Sequence, residues 1–264
     1  MKNKESTHKR VILNGLLTVI NTKRLSSNII EIIFKSAKAF TLDPLWLGPH
    51  LKLLFPDSNG DLCFPSVNDE NKVILQAGIL EKARTYSIRH YDPINQLITV
   101  NFVVHEQGLA STWAQSAKEG DVIGLIGLGA KTNFDERKVF ILLGDIAAMP
   151  AICYSLEQAP SSQRMLAIIE VKNESDIQPM QLSSSKQVTW LVKQGAESKL
   201  SQAITQLAIH HDEDIIIWGG MEAALAQQLR HNLCDCFTHL SKDAIHLISY
   251  WRIGFAEGQF KHRN

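Results

Sequence analysis

The sequence predicts a two-part β + α/β chain: an antiparallel β-barrel followed by a Rossmann-like α/β unit with a parallel sheet. Three observations predict it. The chain has 264 residues, more than one hydrophobic core usually organises. Its first half carries short alternating strands separated by turn residues, the pattern of an antiparallel barrel. From Val139 onward, continuous apolar runs alternate with helical stretches, the rhythm of a parallel sheet with helices on both faces. The expected divisions are a disordered tail over 1–10, the barrel over 11–135, and the α/β unit with an aromatic and basic C-terminal tail over 136–264.

Segments 16–23 and 28–34 read as strands joined by the polar stretch 24–27. Segment 42–49 is a loop around Trp46. Segment 50–55 alternates, with Leu51, Leu53 and Phe55 on one side and His50, Lys52 and Leu54 on the other. The Pro-, Asp-, Asn- and Gly-containing stretch 56–71 is a long loop. Segments 84–91 and 97–104 pair as a hairpin across Asp92-Pro93-Ile94-Asn95, a strong turn sequence. Segment 122–126 closes the barrel. The α/β half follows, with strands at 139–143, 165–171, 188–192, 215–218 and 244–249. Its helices fall near 147–157, 197–209 and 222–236, and a polar loop spans 172–186. There is no internal repeat and no low-complexity segment.

Bulk composition excludes several classes. Lys plus Arg number 27 and Asp plus Glu 27, so net charge gives no drive toward nucleic acid. Cys63, Cys153, Cys234 and Cys236 are scattered. Cys234-x-Cys236 lacks the C-x-x-C spacing of zinc or iron–sulfur sites, and plain thiols in a reducing cytoplasm are expected. Lys9-Arg10 ahead of an apolar run resembles a signal peptide. Asn14 and Gly15 interrupt that run and no small-x-small cleavage site follows, so it reads as the first strand. No uninterrupted apolar run is long enough to span a bilayer. A monomer with no membrane partner is expected. The ten histidines, His210-His211 included, read as surface or core residues, and no metal site is expected.

The residues that carry chemistry begin with Arg84-Thr85-Tyr86-Ser87 in an extended run. Alternation puts Arg84 and Tyr86 on one face. A flavin needs such a set: a cation for its pyrophosphate, a flat ring against the isoalloxazine, and a hydroxyl near its reactive nitrogen. A solvated strand face has the same composition, and four residues do not separate the two. A second segment, His105 to Ala114, contains Gly108 for an unusual turn and Ser111 or Thr112 as a helix cap, a start that can hold a diphosphate or simply be a capped helix. Gly144-Asp145 opens a strand-to-helix turn without the G-x-G-x-x-G pattern. Asp145 there would cap a helix and repel a nicotinamide diphosphate. Trp218-Gly219-Gly220-Met221-Glu222 ends another parallel strand, where paired glycines admit either a close ligand or a tight turn. The tail from Tyr250 to Asn264, with Trp251, Arg252, Lys261, His262 and Arg263, reads either as a packed end or as a lid with cations beside it.

In their order and spacing these segments resemble the siderophore-interacting protein family, within the ferredoxin-reductase-like flavoproteins. The likeness runs over roughly residues 16–258. It is carried by Arg84-Thr85-Tyr86-Ser87, by Asn101-Phe102-Val103-Val104-His105 with Gly108 and Thr112-Trp113-Ala114, and by Gly120-Asp121 and Gly127-Leu128-Gly129. Gly144-Asp145 with Met149-Pro150-Ala151, and Tyr250-Trp251-Arg252 with Gly254, complete it. The resemblance implies an FAD-binding barrel and reduction of ferric siderophores in the cytoplasm. FAD would pass single electrons to Fe(III)-siderophore and release Fe(II). It implies flavin contacts from Arg84, Thr85, Tyr86, Ser87, Asn101, Val103, His105, Ser111, Thr112, Trp113 and Trp251, with Tyr86 and Ser87 beside the reacting edge. A basic chelate pocket maps to Lys52, Lys131, Arg252, Lys261, His262 and Arg263. The expected electron donor is NAD(P)H or reduced ferredoxin, and Glu170 mildly disfavours a 2′-phosphate. Two other readings fit the same motifs: a flavin reductase with a different acceptor, and a siderophore-binding flavoprotein that turns nothing over.

Overall fold

The computed structural model describes residues 13–205, 213–237, 240–257 and 259. The expected tail over 1–10, the start of the first strand at Val11 and Ile12, His210, His211, and the cations Lys261, His262 and Arg263 lie outside the described residues.

The first half is an antiparallel sheet that curls into a barrel. β1 (Gly15–Arg24) pairs with β2 (Ile29–Ser36). The short β3 (Trp46–Leu47) precedes β4 (His50–Leu54), and β5 (Ser66–Val67) and β6 (Val73–Ile74) form a small hairpin of their own. A helical turn, α1 (Ile79–Lys82), leads into β7 (Ala83–Ser87), followed by β8 (His90–Asp92) and β9 (Leu97–Val103). Helix α2 (Leu109–Ser116) and β10 (Val122–Gly129) complete the unit, in which the strands lie in the order β7-β4-β10-β1-β2-β9-β8. Period-two alternation drives closure. Leu17, Val19, Ile32, Phe34, Val100 and Phe102 all turn inward and are fully buried.

Two expectations are corrected here. Segment 84–91 is not one hairpin arm: Ile88 N–H bonds to Pro49 O and Arg89 N–H to Thr99 O, so the chain changes partner at that point. β7 therefore pairs with β4, and only β8 pairs with β9 across the Asp92 turn. The segment around Trp46 is not wholly loop, because β3 pairs with β11 (Thr132–Asn133).

The second half is a parallel sheet. Its elements are β12 (Val139–Asp145), α3 (Met149–Gln158), β13 (Met165–Val171), β14 (Lys186–Val192), α4 (Leu200–Ile204), β15 (Ile215–Glu222), α5 (Ala223–Cys236) and β16 (Ile245–Trp251). Strand order is β14-β13-β12-β15-β16, so the chain reverses direction of growth between β12 and β15. Phe140 and Leu142 pack toward α3, while Ile141 and Leu143 pack toward α4 and α5. Both faces of β12 are covered, which explains its unbroken apolar run. Gly219 and Gly220, read from sequence as the end of a strand, lie inside β15.

The two sheets are tied directly. The Arg89 guanidinium is buried and grips Glu157 of α3 through Nη1 at 2.6 Å and Nη2 at 2.9 Å, while its Nε donates to Gln178 Oε1 at 3.0 Å. Buried Asp176 accepts from Ser26 Oγ at 2.5 Å and from Asn28 Nδ2 at 3.0 Å. Among the described residues, no helix is long and apolar enough to cross a membrane.

Candidate functional site

β7 is an edge strand, so alternate backbone N–H groups on its free side have no ladder partner in the sheet. Arg84 and Tyr86 share one face, as alternation requires. The Tyr86 ring packs 4.5 Å from that of Phe102, and burial pushes its hydroxyl pKa up. The Arg84 guanidinium donates to the carbonyls of Glu81 at 2.8 Å and Ala83 at 2.7 Å. Thr85 and Ser87 take the opposite face, toward the C-terminal segment. Ser87 is buried, and its Oγ donates to the Tyr250 hydroxyl across a long 3.4 Å.

The end of β16 supplies the other wall. Tyr250 is pushed up to about 12 by burial, opposed by the Ser87 bond, and it stays a neutral phenol. A Cβ on Gly220 would lie 2.4 Å from its ring. Gly220 thus makes room for Tyr250. Gly219 is equally constrained, since a Cβ there would meet Leu143 O at 2.3 Å.

Open α/β sheets bind ligands at the carboxyl ends of the strands where growth reverses, here between β12 and β15. Asp145 stands at that point and is buried. Its Oδ2 accepts the Trp251 indole N–H at 2.7 Å and Glu222 N–H at 3.0 Å, and its Oδ1 accepts Ala147 N–H at 2.9 Å. Burial raises its pKa, opposed by those donors. It caps the turn before α3; the helix's own N-cap is Ala148. The Glu222 carboxylate in turn accepts the Ala224 and Leu225 N–H groups at the start of α5. The chain's own carboxylates therefore take up the backbone donors that would receive a nucleotide diphosphate. Glu170 is occupied too, accepting Lys199 N–H at 2.6 Å ahead of α4.

Helix α2 differs. Its N-cap is Gly108 at φ +132°, with no side-chain cap. Ser111 is not the expected cap: its hydroxyl closes the preceding turn, accepting His105 N–H at 2.9 Å and donating to His105 O at 2.8 Å. A Cβ on Gly108 would strike the His105 ring at 2.4 Å, so glycine is required there. Thr112 N–H bonds to Gly108 O, and Trp113 stacks on Phe34 within the barrel's aromatic cluster. A cleft of about 600 Å³ lies beside this turn, between Asn28, His105, Gln115 and Lys172. A cleft of about 700 Å³ lined by Phe134, Phe140 and Gln163 opens at the amino ends of the parallel strands, the edge opposite Asp145.

The remaining named residues are placed as follows. Asn101 is buried on the β9 face opposite Phe102, and both its side-chain polar atoms lack partners. Val103 packs against the core of the parallel sheet. Lys52 and Lys131 both act on His50, whose pKa is lowered by burial and by these two charges, against the pull of Glu257. Arg252 is exposed, its guanidinium 4.4 Å from the Phe255 ring centroid. The structure thus brings Lys52, Lys131, Thr85 and Ser87 to one place. It sets His105, Ser111 and Thr112 at a second and packs the partly buried Trp113 against the barrel's aromatic cluster.

Two residues at the joint, both within the tail read from sequence, were assigned no contact there. Tyr250 carried no assigned role, although it adjoins Trp251. Glu257 is the other: its Oε1 meets Lys52 Nζ at 3.1 Å and Thr85 Oγ1 at 2.7 Å, and its Oε2 accepts Thr85 N–H at 2.7 Å. No local pattern could reveal contacts made across 172 and 205 residues of sequence.

Comparison with known proteins completes the description. Residues 18–132 match the siderophore-interacting FAD-binding domain, and residues 137–254 match the siderophore-interacting protein domain. The chain belongs to the siderophore-interacting protein family. Ferric vibriobactin reductase ViuB of Vibrio cholerae is 27% identical over 248 residues, covering 90% of this chain and 89% of that protein. Ferric acinetobactin reductase of Acinetobacter baumannii is 28% identical, covering 97% of this chain and 84% of that one. The crystal structure of a siderophore utilization protein from T. fusca superposes with a TM-score of 0.80 at 25% identity, covering 97% and 98% of the two chains. This family member is an FAD-dependent oxidoreductase.

The residues present suit FAD on their own chemistry. The edge N–H and hydroxyl of Thr85 already hold an anionic oxygen pair, and the start of α2 lacks a side-chain cap. Among the described residues, no cluster of three or more His, Cys, Asp or Glu could hold a metal ion.

Proposed function

We propose that this chain is a cytoplasmic, monomeric ferric-siderophore reductase: it binds FAD along the joint between barrel and parallel sheet and delivers electrons to a ferric chelate there. The division at residues 135 and 136 separates the flavin half from the half that closes over it. The observation that carries this reading is the convergence of Thr85, Ser87, Tyr250 and Lys52 at the joint from two different sheets.

When bound, FAD supplies redox equivalents that can be delivered one at a time. Arg84 and the uncapped start of α2, with His105, Ser111 and Thr112 shaping its turn, hold the diphosphate. Thr85 N–H and Ser87 Oγ orient the polar edge of the ring, Tyr86 supports it, and Asn101, Val103, Trp113 and Trp251 shape its surroundings. Lys52, Lys131 and Arg252, with Lys261, His262 and Arg263 of the tail, draw in an anionic chelate. Iron is substrate here. Hard oxygen donors hold Fe(III) more tightly than Fe(II), so reduction loosens the complex and Fe(II) leaves.

The donor is NAD(P)H or reduced ferredoxin. Asp145 and Glu222, seated on the backbone donors of the switch point, favour a donor that does not dock a diphosphate there, and so favour ferredoxin. The deciding experiment is anaerobic. FAD-loaded protein, reduced by dithionite, receives ferric siderophore in the presence of an Fe(II) chelator. Reoxidation with colour formation is expected; reoxidation no faster than with buffer rejects the reading. Stopped-flow reduction by NADH, NADPH and ferredoxin ranks the donors.

A further inference from the structure

Glu257 occupies the donors that the flavin signature would offer. Its carboxylate takes the outward N–H of Thr85 on the edge strand and the Thr85 hydroxyl, both at 2.7 Å. The same carboxylate holds the Lys52 ammonium at 3.1 Å. Lys52 is paired with Thr85 across β4 and β7, so the two sites are neighbours by sheet register. The Lys52 side chain is 36% exposed and that of Glu257 15%, so the cation reaches solvent while its partner is largely covered. Burial pushes the Glu257 carboxyl up, but the Thr85 and Lys52 contacts outweigh it and its pKa is lowered. It is an anion at neutral pH.

Resting on the reading that FAD binds along β7, we propose that Glu257 is a displaceable stand-in for the flavin, and that its displacement arms the chelate site. The polar edge of the flavin and the Glu257 carboxylate need the same Thr85 N–H. That N–H is already taken up by the carboxylate, so a flavin edge that claims it expels Glu257. Expulsion removes the counterion of Lys52, and the freed ammonium then faces solvent next to the flavin with Lys131 and His50 nearby. FAD and an anionic ferric chelate thus bind with positive coupling, transmitted by one carboxylate. While Glu257 pairs with Lys52 the cation is neutralised and draws in no anion.

The test uses the full chain, stripped of flavin and then reloaded, with FAD and the ferric tris-catecholate trianion as probes. For wild type, loading FAD should tighten tris-catecholate binding, read by fluorescence quenching or calorimetry, about three- to tenfold, the scale of one partly exposed charge contact. E257Q should bind FAD about three- to tenfold more tightly than wild type. Its flavin-free form should already bind tris-catecholate as well as its loaded form does. E257D keeps the charge on a shorter arm and should restore part of the coupling, which a purely structural role would not do. K52Q should erase the difference between loaded and flavin-free protein. Equal FAD affinity and equal coupling in wild type and E257Q overturn the proposal. Wild type that binds neither FAD nor tris-catecholate overturns the underlying reading instead.

Discussion

Arg89→Ala should be among the most damaging single substitutions outside the cleft. Arg89 is 4% exposed and makes three hydrogen bonds to the parallel-sheet half, two to the Glu157 carboxylate and one to Gln178. Removing one partner of a buried ion pair strands the other, typically costing about 3–5 kcal/mol. Glu157 keeps 18% side-chain exposure and has His90 Nδ1 at 3.7 Å, so water and His90 partly compensate. The lower end applies, and adding the lost Gln178 bond gives about 3–4 kcal/mol. For a chain of this size that lowers the melting temperature by roughly 10 °C. The assay is urea and thermal unfolding of the flavin-free protein. R89M/E157L, which removes both charges, should lose much less, because no charge is left stranded. A cost below about 1 kcal/mol for R89A, or equal losses for R89A and the double variant, would refute the claim that this pair is buried across the joint.

Gly220→Ala puts a methyl 2.4 Å from the Tyr250 ring, and overpacking of this kind costs about 1–3 kcal/mol; an unchanged denaturation midpoint would show that Tyr250 does not pack there. Arg84→Ala should weaken FAD binding by roughly 1.5–3 kcal/mol, the worth of a charge-assisted phosphate contact, read by titration calorimetry. An unchanged dissociation constant removes Arg84 from the site. Acid should release the tail. The folded-state pKa of Glu257 lies below its ordinary 4.5, so its contribution is complete above pH 4.5 and disappears as pH falls through the lowered value. The melting-temperature advantage of flavin-free wild type over E257Q should follow that course; an advantage independent of pH would mean that the charge is irrelevant.

Local periodicity exposed most of the architecture. Buried β12 and β13 announce themselves as unbroken apolar runs because both faces are covered, and the barrel strands alternate because one face is wet. What stayed hidden was partner choice. Residues 84–91 are uniformly extended in sequence, yet backbone bonding hands the chain from Pro49 to Thr99 at residues 88–89, and composition does not encode which carbonyl an N–H will find. The glycine pair at 219–220 was visible, but its reasons, Leu143 O against Gly219 and the Tyr250 ring against Gly220, lie on other strands. Arg84, Thr85, Tyr86 and Ser87 were legible as a set because alternation fixes their faces. Glu257 was not, since a carboxylate in a polar tail looks solvated until the fold brings β7 to it.

The contacts that cross the joint are unequal, and the inequality decides where the molecule can open. On one side stand Arg89 with Glu157 and Asp176 with Ser26 and Asn28, buried and mutually satisfied. On the other stand a 3.4 Å hydroxyl contact between Ser87 and Tyr250 and the partly exposed pair of Lys52 with Glu257. Exposed pairs are worth at most about 1 kcal/mol, whereas breaking a buried one costs several times more. On the proposed reading, a ligand entering the joint displaces the segment around residues 252–257 and leaves the buried clamp intact. That division of labour suits electron delivery. On the proposed reading, the buried clamp fixes the spacing of the two halves, while the weaker side yields to cofactor and chelate.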